Sequence, residues 1–398
     1  MIRHLLKLVW KRKRSNALLT LEIFFSFLVL FGVATLGASM IIRYQRPLGF
    51  DYHDVWVVGI PFQSPPGQEN AAMPLRQMID GMLRELRSMP EIEAATAAGM
   101  PPCSPAGWDN SGDYNGRHYE ASRDSVSDDF NKVMRVPLLQ GRWFGPEDEA
   151  APLRPVVIDS DLAKQIAPDG KAVGIEFGFG AKSPFKVIGV IAPFRKDGEF
   201  SKDHVNMAID RISLTRPEGN VPHYLLVRVR RGTPADFEQT VTKRLHAIAP
   251  EHPVRIGHMD RMHRDMNRMY LSPVITGSVV AAFLVMMVFL GLSGVLWQNV
   301  TRRTREIGLR RALGATGAVV YRQILTEVAL LSTLAVIVGL VIVAQLPIIG
   351  IFRFVTPLAY GIGIVAALAT IYALTLLCGL YPSWLAGRVQ PAQALHYE

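Results

Sequence analysis

The sequence predicts a membrane domain of four transmembrane helices joined to an α+β extracytoplasmic domain, itself two strand–helix–strand halves with a β-rich insertion. Three observations predict this. Four segments, 18–42, 272–297, 325–352 and 358–381, are long and apolar enough to cross a bilayer. Residues 43–271 are mixed in composition and long enough for a folded domain. Within them, a strand, an amphipathic helix and a second strand occur twice in the same order.

Residues 1–17 form a basic N-terminus carrying Arg3, Lys7, Lys11, Arg12, Lys13 and Arg14. The apolar run that follows exceeds the roughly 7–15 residues of a signal peptide core, so it reads as an uncleaved anchor. Glu22 is the acid within that run, expected near a helix N-terminus where the macrodipole tolerates negative charge. A second basic cluster, Arg302, Arg303, Arg305, Arg310, Arg311 and Arg322, separates the second and third spans. Basic residues stay inside, so both termini (including the 382–398 tail) and this loop are cytoplasmic and the large domain is outside. The net charge of +9 is a topology signal: residues 43–271 hold 29 basic and 30 acidic side chains, the rest 14 and 4. Such a distribution suits anionic lipid and gives no reason to expect nucleic acid.

In the outer domain, Asp54–Ile60 reads as a buried strand and Pro74–Arg87 as a helix with Met78, Ile79, Met82, Leu83 and Leu86 on one face. Ile92–Ala98 can be the second strand of this half, at about 50–100. The other half, about 216–260, repeats the order with His223–Val229, Pro234–Ile248 and Val254–Gly257, Pro234 suiting a first helical turn. Between them, about 101–215, Pro, Gly and Asp are frequent; Val156–Asp159 and Phe185–Ile191 read as strands, Ser160–Ile166 as a short helix and the Gly-rich 174–182 as a hairpin turn. Cys103 and Cys378 fall in different domains and should not pair. His252, His258 and His263, near Asp260 and Asp265, lack the spacing of one helical face and read as a solvated stalk, not a metal site. Asp128–Asp129 and Glu147–Glu149 read as exposed loop charges. Gly291, Gly294, Gly361 and Gly363 could let spans approach closely.

The basic loop is the most informative segment. Ile307, Arg310, Arg311 and Gly314 fit a two-turn helix stopped by glycine, with Thr316 as N-cap for the helix that enters the third span. A charged, short, stiff helix is suited to being gripped by another protein, and Glu306 is not needed for lipid anchoring.

Residues 305–316 resemble the signature of FtsX-like permeases, specifically the MacB type of ABC transporter subunit. Tyr381–Leu395, Leu139–Phe144, Val156–Ile166 and Val187–Ile191 resemble further parts of that family, in order along the chain. The resemblance implies that 301–316 is a cytoplasmic coupling helix. It places Arg305, Glu306, Ile307, Gly308, Arg310, Arg311, Leu313 and Gly314 on the surface that docks on an ATPase, and Glu327 at the cytoplasmic mouth of the third span. No Gly-x-x-x-x-Gly-Lys-Ser/Thr loop occurs in the sequence, so the chain is expected to be non-catalytic, binding no cofactor or metal itself, with ATP and Mg used by a separate cytoplasmic ABC ATPase subunit. The other implied partners are a second permease chain, identical or paralogous, and membrane lipid, with room for a periplasmic adaptor protein.

The implied function is efflux or extraction of a substrate by ATP-driven movement of the outer domain, at a bacterial inner membrane. Two alternatives use the same residues: a mechanotransmitter that regulates an extracytoplasmic protein without transport, and a membrane-anchored periplasmic binding module.

Overall fold

The computed structural model describes residues 13–61, 69–105, 107–179, 184–201, 206–215, 221–302, 316–351 and 355–388. It divides into two units, a bundle (1–42 with 272–398) and an outer domain (43–271).

Four helices are long and apolar enough to cross a membrane: α1 (Lys13–Tyr44), α6 (Met259–Arg302), α7 (Gly317–Gln345) and α8 (Pro357–Arg388). Their apolar stretches are Thr20–Tyr44, Met259–Gly294, Leu325–Gln345 and Pro357–Cys378. Helix α6 thus starts thirteen residues before the expected span at 272. The helix pattern continues through Met259, His263 and Met266, whose side chains are buried in the outer domain.

The bundle core joins Phe27 and Phe31 of α1, Val288 and Leu292 of α6, Val336 and Val343 of α7, and Ile371 and Leu374 of α8. Helix α1 meets each of the others at a glycine. A Cβ on Gly277 of α6 would lie 3.1 Å from Val33; on Gly339 of α7 it would run into the Phe27 ring; on Gly363 of α8 it would lie 3.0 Å from the Thr35 Cα. Without a hydrophobic drive between helices in lipid, such close packing is what holds them. Of the glycines singled out from sequence, Gly363 does this, while Gly294 and Gly361 have nothing within 4 Å. Glu22 is half-buried and lies nine residues after Lys13, so it is not at the N-terminus of α1 as expected.

The outer domain contains β1 (Val55–Gly59), α2 (Glu69–Arg87), β2 (Ile92–Ala98), β3 (Trp108–Tyr114), β4 (Arg117–Val126), α3 (Phe130–Met134), β5 (Leu138–Gly141), β6 (Arg154–Asp159), α4 (Ser160–Ile166), β7 (Glu176–Phe177), β8 (Phe185–Ile191), β9 (Asn206–Arg211), β10 (Tyr224–Val229), α5 (Phe237–Ile248) and β11 (Arg255–His258). The strands pair in the order β11-β1-β10-β2-β4-β9-β6-β8-β5, with β3 on β4 and β7 on β8. The two halves and the insertion therefore share one sheet. The join is narrow: β2 and β4 pair only at Ala98 and Val126, reinforced by the Ser127 hydroxyl, which lies 2.8 Å from that of Thr96 and accepts from the Ala97 amide at 2.9 Å.

The strands of the first part are buried on both faces, so Val55–Gly59 reads as a continuous apolar run rather than an alternating one. Trp56 and Val58 pack under α2 and α5 with Met82, Leu86, Val241 and Leu245. Val55 and Val57 face the other way, onto Phe130, Trp143, Phe194 and Met266. Helix α4 covers β6, β8 and β9 through Leu162 and Ile166. Two helix boundaries differ from expectation. Helix α2 extends back to Glu69, leaving Pro74 inside it. Pro234 precedes α5, whose N-cap is Asp236, and its carbonyl accepts from the Phe237 amide at 3.1 Å in a lead-in turn.

Candidate functional site

Arg305, Glu306, Ile307, Gly308, Arg310, Arg311, Leu313 and Gly314 all lie in 303–315, outside the described residues. The residues on either side are described: α6 up to Arg302, and α7 from Gly317. Thr316 holds the N-cap position with extended backbone, but its side chain makes no capping bond. Glu327 is half-buried on α7. Beyond it along α7, hydroxyl contacts tie this helix to α8: Ser332 to Thr375 at 2.9 Å and Thr333 to Tyr372 at 3.1 Å. Helices α7 and α8 are therefore fastened to each other on the C-terminal side of the basic segment.

The outer domain is fastened by ion pairs. Arg228, 1% exposed in β10, donates to the Val133 carbonyl (2.6 Å), the Asp51 carbonyl (2.7 Å) and the His53 carbonyl (2.9 Å), and reaches the Asp51 carboxylate at 3.3 Å. One side chain thereby pins the segment leaving α1 to the sheet and to α3. Arg211 in β9 grips Asp128 at 2.7 and 3.0 Å and Glu149 at 2.5 Å. Arg142 holds Asp148 with two bonds of 2.6 Å. Asp128, Asp148 and Glu149, expected to be exposed loop charges, are therefore anchors, whereas Glu147 is exposed as expected. Asp148 is buried, and burial alone would raise its pKa, but Arg142 and the Gly145 amide hold it below the usual carboxylate range. Burial likewise works against ionised Glu149, yet bonds from Ser213, Thr215 and Arg211 outweigh it and take its pKa down to about 2.

Two acids go the other way. Burial pushes Asp159, the N-cap of α4, up to about 7, although its carboxylate accepts from the Leu162 amide at 2.9 Å. Burial raises Asp124 to about 8 against bonds from the Ser125 and Met100 amides. Cys103 is buried, its thiol raised to about 12 by burial first and then by Glu199 and Asp197, which leaves it unreactive.

The histidines separate. His258 pairs with Glu238 (2.6 Å), His263 with Glu199 (2.7 Å), and His53 with Asp260 (2.9 Å). Among the described residues, no three His, Cys, Asp or Glu side chains are grouped to hold a metal ion. His263 is 7% exposed, so this end of α6 is not the solvated stalk the sequence suggests. Sequence reasoning passed over Arg228, Arg211 and the His263–Glu199 pair. An arginine within the apolar strand Tyr224–Val229 was a signal for the first; the others are set by tertiary pairing.

Residues 17–244 match the model of the MacB-like periplasmic core domain, and 278–391 match the FtsX-like permease C-terminal model. The chain belongs to the MacB/FtsX-type ABC permease family. Over 285 residues the permease is 26% identical to the macrolide export ATP-binding/permease protein MacB of Shewanella sp. (strain W3-18-1), covering 69% of this chain and 43% of that protein. It is 25% identical over 288 residues to the uncharacterized ABC transporter permease YvrN of Bacillus subtilis (strain 168), covering 69% of each. The permease therefore spans less than half the length of that MacB relative. Among solved structures, the periplasmic region of MacB from Actinobacillus actinomycetemcomitans aligns with 56% of the chain and 98% of its own, at 15% identity and a TM-score of 0.38. The permease is a multi-pass membrane protein whose domain between the first and second spans is periplasmic.

Proposed function

We propose that this permease couples ATP hydrolysis, carried out by a cytoplasmic ATPase outside these 398 residues, to movement of its periplasmic domain, and so drives efflux or extraction of a substrate. The ATPase, using ATP and Mg, docks on 305–314; both termini are cytoplasmic and the membrane is the bacterial inner membrane. The observation that carries the reading is the basic segment Arg302–Arg311 between α6 and α7, two helices long and apolar enough to cross a membrane.

A second permease chain completes the unit. In support, α6 leaves Ile275, Val279, Phe283, Met286 and Leu290 at least half exposed, at spacings of four, four, three and four. That is a seam a helix of another copy could fill. Lipid borders the rest, and a periplasmic adaptor would meet the outer domain. Export of macrolides is named for the Shewanella relative; for this chain the cargo class stays with the broader proposal.

The test is a pair of variants, Glu306→Ala and Arg310→Ala, in membranes that also hold the ATPase. Hydrolysis continues while the ATP-dependent change in hydrogen exchange across 43–271 is lost. Wild-type coupling in both variants would sink the docking assignment. A wild-type complex that hydrolyses ATP and moves its outer domain, but answers to a protein partner and to no solute, would favour mechanotransmission without transport.

A further inference from the structure

Segment Phe194–Ser201 connects β8, the insertion strand that pairs with β5, β6 and β7, toward β9, which pairs with β4 and β6. Instead of turning directly from one strand to the other, it reaches to the two parts of the outer domain that lead into membrane helices. Against the part that leaves α1, the Arg195 amide donates to the Leu48 carbonyl at 2.9 Å and the Arg195 guanidinium to the Arg43 carbonyl at 2.8 Å. Arg43 returns a bond to the Phe200 carbonyl at 3.5 Å, Tyr44 stacks on Phe200 at 5.8 Å, and Phe194 packs on Phe50 at 4.8 Å. Against the start of α6, Glu199 meets His263 Nε2 at 2.7 Å. Tyr52, from the part leaving α1, stacks on the face of that imidazole at 4.0 Å. The same imidazole is thus clasped by the insertion and by the chain leaving α1.

The local backbone is shaped for this. Gly198 (φ +86°) lets the turn pass over α6: a Cβ there would come 3.2 Å from Asn267 Oδ1 and 3.8 Å from Met266. Gly49 (φ +84°) does the same beneath the segment, where a Cβ would lie 3.0 Å from the Pro193 carbonyl carbon. Glu199 and His263 are 9% and 7% exposed. Burying such a pair is a poor way to gain stability, because desolvation offsets most of the attraction; what it fixes is position. Burial works against the Glu199 carboxylate, but bonds from His263 and Asn267 outweigh it and hold its pKa below the ordinary value.

We infer that Phe194–Ser201 is a brace that carries displacement of the α1 and α6 ends into the inserted part of the sheet, with Glu199–His263 as its latch. This rests on the mechanical reading proposed above. Besides the brace, backbone bonds join the first part of the sheet to the insertion at the narrow β2–β4 join (Gly99 amide to Ser125 carbonyl, 2.8 Å; Ser127 amide to Ala97 carbonyl, 2.9 Å) and from the Asp51 amide to the Met134 carbonyl (2.8 Å), none of which touches the start of α6.

The experiment uses the full chain with its ATPase in lipid nanodiscs, and reads hydrogen exchange without nucleotide and after trapping with ATP and vanadate. In the wild type, trapping changes exchange both in 259–271 and in 154–166. In Glu199→Ala and His263→Ala the change at 259–271 persists and that at 154–166 is lost. The double variant loses no more than either single, because both break one contact. Arg195→Gln, at the other end of the brace, gives the same pattern. Should Glu199→Ala fail to fold, Glu199→Gln and Arg195→Gln carry the test, with nucleotide-free exchange in 154–159 matching wild type as the check on folding. An undiminished change at 154–166 in all folded variants overturns the brace and leaves the mechanical reading standing. No trapping-dependent change at 259–271 in the wild type overturns that reading, and the brace with it.

Discussion

In the bundle, α1 meets its neighbours where glycines let backbones approach, at Gly277, Gly339 and Gly363, and α7 and α8 share hydroxyl contacts between Ser332 and Thr375. In the outer domain the corresponding joints are ion pairs: Arg228 with Asp51, Arg211 with Asp128 and Glu149, Arg142 with Asp148. The difference follows from the solvent. In lipid a charge is expensive and close apolar packing does the holding. In water an arginine can leave its hydration shell only where carboxylates and carbonyls replace it, so each such site fixes one geometry. Packing seams can slide by small steps, whereas arginine nodes either hold or break.

The largest effect is expected at Gly363. Gly363→Leu forces a side chain into Thr35 and should destabilise the bundle by about 3 kcal/mol or more, read as loss of folded yield in mild detergent, while Gly361→Leu, with nothing within 4 Å, should be silent. If both are tolerated, the glycine contacts are not what holds α1.

In the outer domain, Arg228→Met removes the donor for three carbonyls and a carboxylate. It should cost about 3 kcal/mol, seen as a lower melting temperature of the outer domain in the full chain. A change below about 0.5 kcal/mol would deny that the node fixes geometry.

Two carboxylates of the outer domain should respond to pH in opposite directions. Glu149 has its folded pKa depressed to about 2 from 4.5. Its stabilisation is present above pH 4.5 and lost as pH falls toward about 2. Being about one-third exposed, it should contribute on the order of 1–2 kcal/mol after allowance for screening. Asp159 has its folded pKa raised from 3.8 to about 7. The folded state keeps a proton that the unfolded chain has released, so stability falls as pH rises from about 4 to 7 and levels off above. Asp159→Asn should flatten that slope, by about 4 kcal/mol at most, and Glu149→Gln should remove its share of the acid limb. Denaturant melts at pH 3, 5 and 8 would show both. The smallest effect is expected at Lys164–Asp161, an exposed i,i+3 pair, where Lys164→Ala should change stability by less than about 0.5 kcal/mol.

The sequence showed most of the architecture. Runs of apolar residues announced the four spans, and the period of Met78–Leu86 and the helix read over Pro234–Ile248 marked the helices that cover the sheet. The shared sheet was not legible, because the single Ala98–Val126 bridge leaves no local pattern. Nor were the anchors: Asp148 and His263 sit in charged, loop-like or stalk-like sequence, and only tertiary partners from Arg142 and Glu199 bury them. Gly294 and Gly361 had the same local look as Gly363 but face nothing, since which side of a membrane helix meets a neighbour depends on the bundle. The docking residues 305–314 were singled out by sequence and lie outside the described residues, so their role rests on motif and on the two helices that frame them.

The most direct measurement is purification of the tagged chain from its native membrane in mild detergent, with identification of what accompanies it. The account predicts a stoichiometric protein bearing a phosphate-binding loop, lost when 305–313 is scrambled at constant charge. Absence of any such ATPase after crosslinking, or its retention by the scrambled chain, would contradict the assignment of this segment as the docking surface.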